Sequence, residues 1–367
     1  MRLKAAVLPG DGIGPEVMKV VVRVIRTLAD ISGFEFQFQE YPIGGVAIAQ
    51  SGLPLPKATL DACLESDAVL LGAVGSPEFD SLPRDRRPEA GLLQLRVALG
   101  GFANLRPAIA YESLTECSPL RASVAAGANV LFVRELLGGL YFGEPRGTDA
   151  STRSAWNTMR YSEPEIERVA RVAFEQARQR KSKVTSVDKA NVLETSQLWR
   201  SVVTRIGSEY PDVALDHIYV DAFAMHLVTN PMRFDVVLTE NLFGDILSDE
   251  AATITGSLGM LPSATIGGAV NLYEPVHGSA PDIAGRNLAN PLGAIASAAM
   301  MLRHTAAMHR EAEEIEAAIR AVLAEGHRTA DIYRLPGEHQ VTTTEMGSLV
   351  EEALTGAVIR RQAYHAV

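Results

Sequence analysis

Residues Ala68–Val74 form an unbroken apolar run, AVLLGAV. A strand with one face in water alternates apolar and polar residues, so an unbroken run is typical of a strand covered on both faces. Such strands occur in parallel sheets with helices on each side. The run therefore predicts an α/β fold in which helices connect parallel strands.

The rest of the chain fits this pattern. Pro15 stands at the first turn of a predicted helix that runs to about Ile31 and ends at Gly33, and residues 34–39 alternate as a half-buried strand does. Further strands are predicted at Ala5–Leu8, Asn129–Arg134, Lys183–Val187, His217–Val220 and Val236–Thr239. Further helices are predicted at Pro164–Arg180, Thr195–Ile206, Phe243–Thr255, Leu288–His304, Glu311–Ala324 and Glu345–Leu354.

The length of 367 residues exceeds what one simple core accommodates, so two domains are expected. No low-complexity linker separates them, and the chain is therefore expected to cross between domains more than once. Residues Gly138–Ser154 are glycine-rich and lack helical periodicity. This segment is either a loop or an extended arm.

Composition excludes several function classes. The net charge of −10 and the lack of a long basic run disfavour nucleic-acid binding. No apolar stretch is long enough for a membrane span, and the first residues do not resemble a signal peptide. Cys63 and Cys117 lack a CxxC partner and are predicted to be buried reduced thiols. A cytoplasmic protein without nucleic-acid or membrane partners is expected.

The segment PGDGIGPE (residues 9–16) follows a strand and opens a helix, as a dinucleotide-binding fingerprint does, with Glu35 about 20 residues further on. The spacing is G-x-G-x-G, however, and Pro15 removes an amide that a phosphate would use. A tight strand-to-helix turn is the alternative interpretation.

Asp245 and Asp249 are four residues apart in the segment NLFGDILSDEA, so a helix would place both carboxylates on one face. A hard divalent cation such as Mg²⁺ or Mn²⁺ would convert their repulsion into attraction. Asp221, after the predicted strand His217–Val220, is a third candidate ligand. The alternative is a solvated helix face, which the apolar neighbours disfavour.

Arg96, Arg106 and Arg134 each lie in an apolar setting, where an arginine needs an anionic partner. Three guanidinium groups suit a substrate with two carboxylates. A structural ion pair, such as Arg134 with Glu135, is the alternative for any one of them. Lys189 and Tyr141 are candidates for proton transfer, although each alone is more often an ordinary surface or packing residue.

With these residues in place, the sequence resembles the β-decarboxylating dehydrogenases of 2-hydroxy acids, the isocitrate/isopropylmalate dehydrogenase family, over nearly its whole length. The resemblance rests on eight segments: PGDGIGPEV (9–17), GLLQLR (91–96), ANLRPA (103–108), VRELLGGLYFGEPRG (133–147), VDKANVL (187–193), NLFGDILSDEA (241–251), GSLGMLPSA (256–264) and YEPVHGSAPDIAG (273–285).

The resemblance implies a two-domain α/β fold with a mostly parallel sheet that is not a Rossmann fold. Residues 1–101 plus 256–367 would form a cofactor-side domain, and residues 102–255 a substrate, metal and dimerisation domain with an arm near 138–154. It also implies a homodimer in which each active site borrows residues from the partner subunit.

The resemblance implies roles for particular residues. The residues that would bind the malate moiety are Arg96, Arg106 and Arg134, and the catalytic residues would be Tyr141 and Lys189. The metal would be held by Asp221, Asp245 and Asp249, and Asp221 would also contact substrate. Lys189 and Asp221 would be supplied by the other subunit. The implied cofactor is NAD, bound by Glu274, His277, Gly278, Ser279, Ala280, Asp282, Ile283 and Asn290. The Asp282 carboxylate can accept hydrogen bonds from two ribose hydroxyls and would repel the phosphate of NADP.

Substrate choice is expected to depend on the segment before Arg96. Leu92 and Leu93 suit an isopropyl group, Glu89 would repel the extra carboxylate of isocitrate, and Val192 would line the pocket from the partner subunit. The expected reaction is oxidative decarboxylation of (2R,3S)-3-isopropylmalate to 4-methyl-2-oxopentanoate in leucine biosynthesis. Alternatives are a tartrate or D-malate dehydrogenase of the same family, and a non-catalytic metal- or nucleotide-binding protein, which would bind NAD without producing NADH.

Overall fold

The computed structural model describes residues 2–365, with side chains described through residue 361. Met1, Ala366 and Val367, which fall in the first predicted domain, lie outside the described residues. The strands are β1 (Arg2–Gly10), β2 (Glu35–Glu40), β3 (Ala68–Ala73), β4 (Ala103–Ile109), β5 (Asn129–Glu135), β6 (Gly147–Asp149), β7 (Ser154–Trp156), β8 (Lys183–Asp188), β9 (Ala214–Tyr219), β10 (Val236–Thr239), β11 (Pro262–Ile266), β12 (Asn271–Pro275), β13 (His327–Arg328) and β14 (His339–Gln340).

The α-helices alternate with these strands over most of the chain. They are α1 (Gly14–Ser32), α2 (Gly45–Ser51), α3 (Lys57–Leu64), α4 (Pro88–Leu99), α5 (Ala122–Ala125), α6 (Glu163–Arg178), α7 (Glu194–Gly207), α8 (Val220–Thr229), α9 (Asn241–Glu250), α10 (Ala252–Thr255), α11 (Leu292–His304), α12 (His309–Ala324) and α13 (Thr343–His365). In the part of the chain that the structure describes, no helix has the length and apolar character needed to cross a bilayer.

The chain divides into two compact units. The first unit comprises Met1–Gly101, Tyr111–Cys117 and Thr255–Val367, and the second comprises Phe102–Ala110 and Ser118–Ile254. The predicted boundaries were 101/102 and 255/256. The segment Tyr111–Cys117 packs with the first unit, which the sequence pattern did not predict, since no compositional change marks it.

In the first unit, five strands lie side by side in the order β2-β1-β3-β12-β11, and β13 and β14 form a separate pair. The first four are parallel and β11 is antiparallel to β12. Residues Ala68–Ala73 of the central strand β3 are all buried, as the apolar run predicted. The order β2-β1-β3 differs from the order β3-β2-β1 of a Rossmann half.

The glycine-rich segment after β1 is a tight strand-to-helix turn. Gly10 and Gly12 have φ of 72° and 56°, in the left-handed region that favours glycine. The buried Asp11 carboxylate accepts hydrogen bonds from the backbone N–H groups of Gly45 and Gly75 at 2.8 and 2.9 Å. The carboxylate thus holds the turn against neighbouring loops, in agreement with the second interpretation of the motif.

The second unit has a similar five-stranded plan in the order β4-β5-β10-β8-β9. Strands β5, β10, β8 and β9 are parallel, and β4 is antiparallel to β5. The carboxyl ends of four strands therefore meet at one edge of this sheet, where ligand sites collect in α/β proteins.

Several predicted elements require correction. Residues Val220 and Asp221 begin α8 and do not end a strand, so Asp221 lies in a helical first turn. The predicted helix at Leu288–His304 begins only at Leu292, with Pro291 as its N-cap residue, because a proline disfavours the helical conformation at the residue before it. The helix predicted at Phe243–Thr255 is two helices, α9 and α10, and the one predicted at Glu345–Leu354 extends over α13.

The segment Gly138–Ser154 contains a short 3-10 turn, Gly139–Tyr141, and then strand β6. Strand β6 pairs antiparallel with β7, so that Gly147 lies opposite Trp156. All three residues of β7 are exposed. An extended arm in this part of the chain remains a prediction. Cys63 and Cys117 are buried and are not joined in a disulfide, as predicted.

Candidate active site

Helix α9 carries a polar stripe on an otherwise apolar segment. Asn241, Asp245, Ser248 and Asp249 are spaced i, i+4, i+7 and i+8, which places them on one helical face. The helix begins where β10 ends, and the Glu240 side chain caps it by accepting hydrogen bonds from the N–H groups of its first turn. The strand end and this cap fix the direction in which the stripe points.

Two arginines from the neighbouring strands balance the charge of the paired aspartates. Arg134 Nη1 of β5 lies 2.5 Å from Asp245 Oδ1, and Arg106 Nη1 of β4 lies 3.0 Å from Asp249 Oδ1. Arg106 Nη1 also lies 3.5 Å from Asp245 Oδ1 and donates to Ser248 Oγ at 2.8 Å. Like charges one turn apart are tolerable here because two guanidinium groups lie beside them.

Two amide side chains orient these arginines. Asn241 Oδ1 accepts from Arg134 Nη2 at 2.7 Å, and Asn104 Oδ1 accepts from Arg106 Nε at 2.7 Å. Arg134 is 1% exposed. The structure pairs Arg134 with Asp245, and the alternative pairing with Glu135 is wrong: the Glu135 carboxylate accepts from the N–H groups of the following loop.

Tyr141 lies beside the same carboxylate. Its hydroxyl donates to Asp245 Oδ2 at 2.6 Å. Burial, and then the hydrogen bond to Asp245, raise the pKa of Tyr141 to about 12. Burial also raises the pKa of Asp249, against the lowering effect of Arg106. Tyr141 is therefore a protonated acid at neutral pH, held against one of the aspartates.

Lys189 and Asp221 form a separate pair in the same unit. Lys189 Nζ lies 2.6 Å from Asp221 Oδ1, and this hydrogen bond is the main cause that lowers the pKa of Asp221. Lys189 follows β8 and Asp221 follows β9. Strand β9 lies two strands from β10, which leads into the helix of Asp245 and Asp249, and so about 10 Å from it. Among the described residues, no three acidic, histidine or cysteine side chains form a metal-binding group. A single chain therefore does not bring Asp221 to Asp245 and Asp249.

In the first unit, helix α4 carries four of the predicted substrate residues on one face. Glu89, Leu92, Leu93 and Arg96 are spaced i, i+3, i+4 and i+7. Arg96 Nη2 donates to the Glu274 carboxylate at 2.7 Å. Arg96, which was predicted to bind substrate, and Glu274, which was predicted to bind the cofactor, are thus paired with each other in this chain. Val192, in the second unit, is 65% exposed on the turn after β8.

The predicted cofactor residues lie on β12 and the loop that follows it. Ser279 and Asn290 are buried, whereas Asp282 is exposed. Asn290 Nδ2 donates to the Asp331 carboxylate at 3.0 Å. The Nε2 atom of His277 is buried and has no hydrogen-bond partner among the described residues, and burial lowers the pKa of this imidazole. The remaining predicted positions on the loop are Gly278, Ala280 and Ile283.

Sequence reasoning missed helix α4 as an element, and it missed Asn104, Asn241 and Ser248 as members of the arginine–aspartate cluster. Signals for both were present. Pro88 at the first turn and Gly100 with φ of 72° mark the ends of α4. The spacing of Asn241 and Ser248 from Asp245 marks them as residues of the same helical face.

A family model described as isocitrate/isopropylmalate dehydrogenase matches residues 4–350. The chain belongs to the isocitrate/isopropylmalate dehydrogenase family. The predicted resemblance is therefore confirmed, and so is the family's α/β fold in place of a Rossmann fold.

Among relatives in this family, a 3-isopropylmalate dehydrogenase of Wolinella succinogenes is 54% identical over 349 residues, covering 95% of this chain and 97% of the relative. A 3-isopropylmalate dehydrogenase of Moorella thermoacetica is 56% identical over 353 residues, covering 96% and 99%. Among solved structures, an isocitrate dehydrogenase from Methylococcus capsulatus is 36% identical with a TM-score of 0.85, covering 96% of this chain and 99% of that chain.

Proposed function

We propose that this chain catalyses the NAD-dependent oxidative decarboxylation of (2R,3S)-3-isopropylmalate to 4-methyl-2-oxopentanoate and CO₂, a step of leucine biosynthesis in the cytoplasm. The observation that carries the proposal is the cluster of Arg106, Arg134, Tyr141, Asp245 and Asp249, which combines carboxylate-binding, acidic and metal-ligating groups within hydrogen-bond distance of one another. Similarity to enzymes named 3-isopropylmalate dehydrogenase supports this substrate over tartrate or D-malate.

The arginines would bind the two substrate carboxylates. Arg106 and Arg134 are rigidly oriented by Asn104 and Asn241, which suits bidentate recognition of a planar anion. Arg96 would contribute the third guanidinium from the first unit. In this proposal the second unit supplies substrate, metal and dimer contacts. The first unit supplies the cofactor site and α4, the helix whose residues would select the substrate.

Asp245 and Asp249 have the ligand chemistry that a hard divalent cation requires, because both present carboxylate oxygens from one helical face and both side chains are partly exposed, at 31% and 53%. We propose that Mg²⁺ or Mn²⁺ binds here, with Asp221 of the partner subunit as a further ligand. When bound, the cation supplies a Lewis acid that stabilises the electrons released by loss of CO₂.

A homodimer would bring the Lys189–Asp221 pair to the cluster of the partner subunit. Large apolar side chains are exposed close to these residues in sequence: Val192 beside Lys189, Met225 on α8 at 69% exposure and Ile246 on α9 at 59%. Trp156 on the arm is also exposed. Exposed apolar residues grouped on neighbouring helices are typical of an interface, and they support a dimer through α8, α9 and the arm.

Two residues of the chain would then carry out the two proton transfers of the reaction, one from the C2 hydroxyl and one to C3. Lys189 Nζ, directly or through water, takes the proton of the C2 hydroxyl as hydride leaves C2 for NAD. Tyr141 Oη, which carries its proton at neutral pH and lies 2.6 Å from Asp245 Oδ2, delivers a proton to C3 after decarboxylation. The arginines hold C2 and C3 in position for both transfers.

The cofactor site would use the loop after β12. The buried His277 Nε2 lacks a partner among the described residues, and the exposed Asp282 carboxylate is available to ribose hydroxyls. Glu274, Gly278, Ser279, Ala280, Ile283 and Asn290 would complete the contacts. The acidic Asp282 favours NAD over NADP because it would repel a 2′-phosphate.

The test is NADH formation from (2R,3S)-3-isopropylmalate with Mg²⁺ or Mn²⁺, compared with D-malate and isocitrate. We expect turnover of isopropylmalate with NAD that stops when a chelator is added and returns with excess metal. NAD binding without NADH formation would support the non-catalytic alternative, and faster turnover of D-malate would support the other dehydrogenase.

A further inference from the structure

The turn at residues 9–16 also contacts the loop of residues 277–290, to which the proposed function assigns cofactor binding. Glu16, in the first turn of α1, reaches this loop with both carboxylate oxygens. Its Oε1 accepts a hydrogen bond from the backbone N–H of Gly285, and its Oε2 accepts from the N–H of Asn287 at 3.1 Å. A single side chain thus satisfies two backbone donors of the loop.

A second contact holds the start of the same loop. The N–H of Ile13 donates to the Ser279 carbonyl at 2.8 Å. Gly12 packs directly on this carbonyl: a Cβ atom at Gly12 would lie 2.0 Å from the Ser279 oxygen, and its φ of 56° also disfavours other residues. Glycine is required here by close backbone approach, and the approach is to a protein loop.

The end of the loop is held by α13. The Asn287 carbonyl accepts from the N–H of Thr343 at 3.0 Å, and Thr343 Oγ1 donates to the Ala289 carbonyl at 2.6 Å. The loop is therefore attached at Ser279 and again from Gly285 onward. Between these attachments lies Asp282, exposed, on the segment proposed to face the ribose.

We infer that Glu16 is a positioning residue for NAD: it fixes the conformation of the loop that presents Asp282, without contacting the cofactor. The inference rests on the proposed cofactor site. Loss of the carboxylate would leave two backbone donors without their acceptor and would let the loop sample other conformations. NAD would then have to order the loop on binding, which weakens binding but leaves the arginine–aspartate cluster of the second unit unchanged.

The test compares Glu16→Gln with wild type and with Glu313→Gln, a control at an exposed glutamate on α12. Glutamine keeps the length of the side chain but places an NH₂ group against one of the two N–H donors. We expect the KM for NAD to rise roughly five- to twentyfold in the Glu16 variant, which is about the effect of losing one hydrogen bond. We expect kcat at saturating NAD, the KM for isopropylmalate and the Tm to stay close to wild type, and the control to match wild type throughout.

An unchanged KM for NAD in Glu16→Gln would overturn the inference, as would an equal loss in both KM values together with a lower Tm, which is the result of a purely structural role. Titration of NADH by fluorescence measures cofactor binding without turnover. If wild type binds NADH but does not oxidise isopropylmalate, the proposed function fails. The Kd for NADH of Glu16→Gln is then compared with that of wild type: a higher value supports the positioning role of Glu16, and an equal value overturns it. If wild type does not bind NADH, the proposed cofactor site and the inference fail together.

Discussion

Arg134 and Asp245 form an ion pair with an Nη1–Oδ1 distance of 2.5 Å, although sequence reasoning gave them different ligands, a substrate carboxylate for one and a cation for the other. Arg106 stands in the same relation to Asp249, at 3.0 Å. Each group thus serves as the counter-charge of the other. This arrangement compensates the charge of a guanidinium that is only 1% exposed.

The first prediction concerns this pair. Asp245→Ala removes the carboxylate that lies against the buried Arg134 guanidinium, and we expect it to lower the free energy of unfolding by about 1–3 kcal/mol in the presence of a chelator. Asp245→Asn, which retains an acceptor, should cost less. Urea unfolding of the two variants measures the difference. Equal stability of Asp245→Ala and wild type would show that the pair does not stabilise the fold.

The second prediction concerns the metal. Asp249→Asn removes a charged ligand while keeping the shape of the side chain, and we expect the Mn²⁺ concentration for half-maximal activity to rise about 10- to 100-fold. Direct Mn²⁺ binding by electron paramagnetic resonance provides a readout independent of turnover. Glu313→Asn on the first unit serves as a control. Unaltered Mn²⁺ affinity would exclude Asp249 as a ligand.

The third prediction concerns sharing of sites between subunits. Tyr141→Phe and Lys189→Ala should each lose turnover by at least about a hundredfold, with substrate binding largely retained. If Lys189 acts in the partner's site, mixed dimers contain one intact site. Equal mixing after reversible dissociation should then restore about a quarter of wild-type activity. Absence of any recovery, with mixed dimers demonstrated by mass spectrometry, would place both residues in a site formed by one chain.

The fourth prediction concerns pH. The folded chain retains the Tyr141 proton to about pH 12, whereas the ordinary tyrosine value is 10.0. The folded state therefore binds more protons than the unfolded state between these values, so this residue's contribution to stability is complete below pH 10 and is lost as pH rises to 12. Tyr141→Phe should show a smaller decrease in stability from pH 9 to pH 11 than wild type, measured by urea unfolding. An identical decrease would contradict the raised pKa.

The fifth prediction concerns specificity. Leu92→Ala and Leu93→Ala shorten side chains on the face of α4 that also carries Arg96. Each should reduce kcat/KM for isopropylmalate about 10- to 200-fold relative to D-malate, because a hydrophobic pocket distinguishes substrates by a few methylene groups. Gln94→Ala, at an exposed position on the opposite face of α4, is the control. A loss of equal size for both substrates would indicate damage to the helix and not to a pocket.

The sequence predicted strands with a continuous or alternating apolar pattern more accurately than strands interrupted by polar residues or proline. Ala68–Ala73 carries a continuous apolar signal that local composition alone reveals. By contrast, β4, β11 and β12 were missed, because β4 contains Arg106 and Pro107 and is defined by its antiparallel pairing with β5. Such pairing depends on residues distant in sequence, which periodicity does not report.

For the candidate site, the aspartate spacing and the apolar setting of the arginines predicted which residues carry charge. They did not predict that Arg134 and Asp245 would bind each other, since the two are far apart in the chain. The proposed role of Asp221 also depends on a second polypeptide. Local sequence patterns therefore identified the charged residues of the site, whereas only the folded structure shows which of them pair with each other.

Helix α4 has a consequence for how this family can diversify. One face of this helix carries both the residue that would anchor the common part of the substrate, Arg96, and the residues that would contact the variable part, Leu92 and Leu93. The residues proposed as acid, base and metal ligands all belong to the other unit. Substitution of the adjacent residues Leu92 and Leu93 is therefore expected to change which substrate side group is recognised, without altering the residues proposed to carry out the reaction.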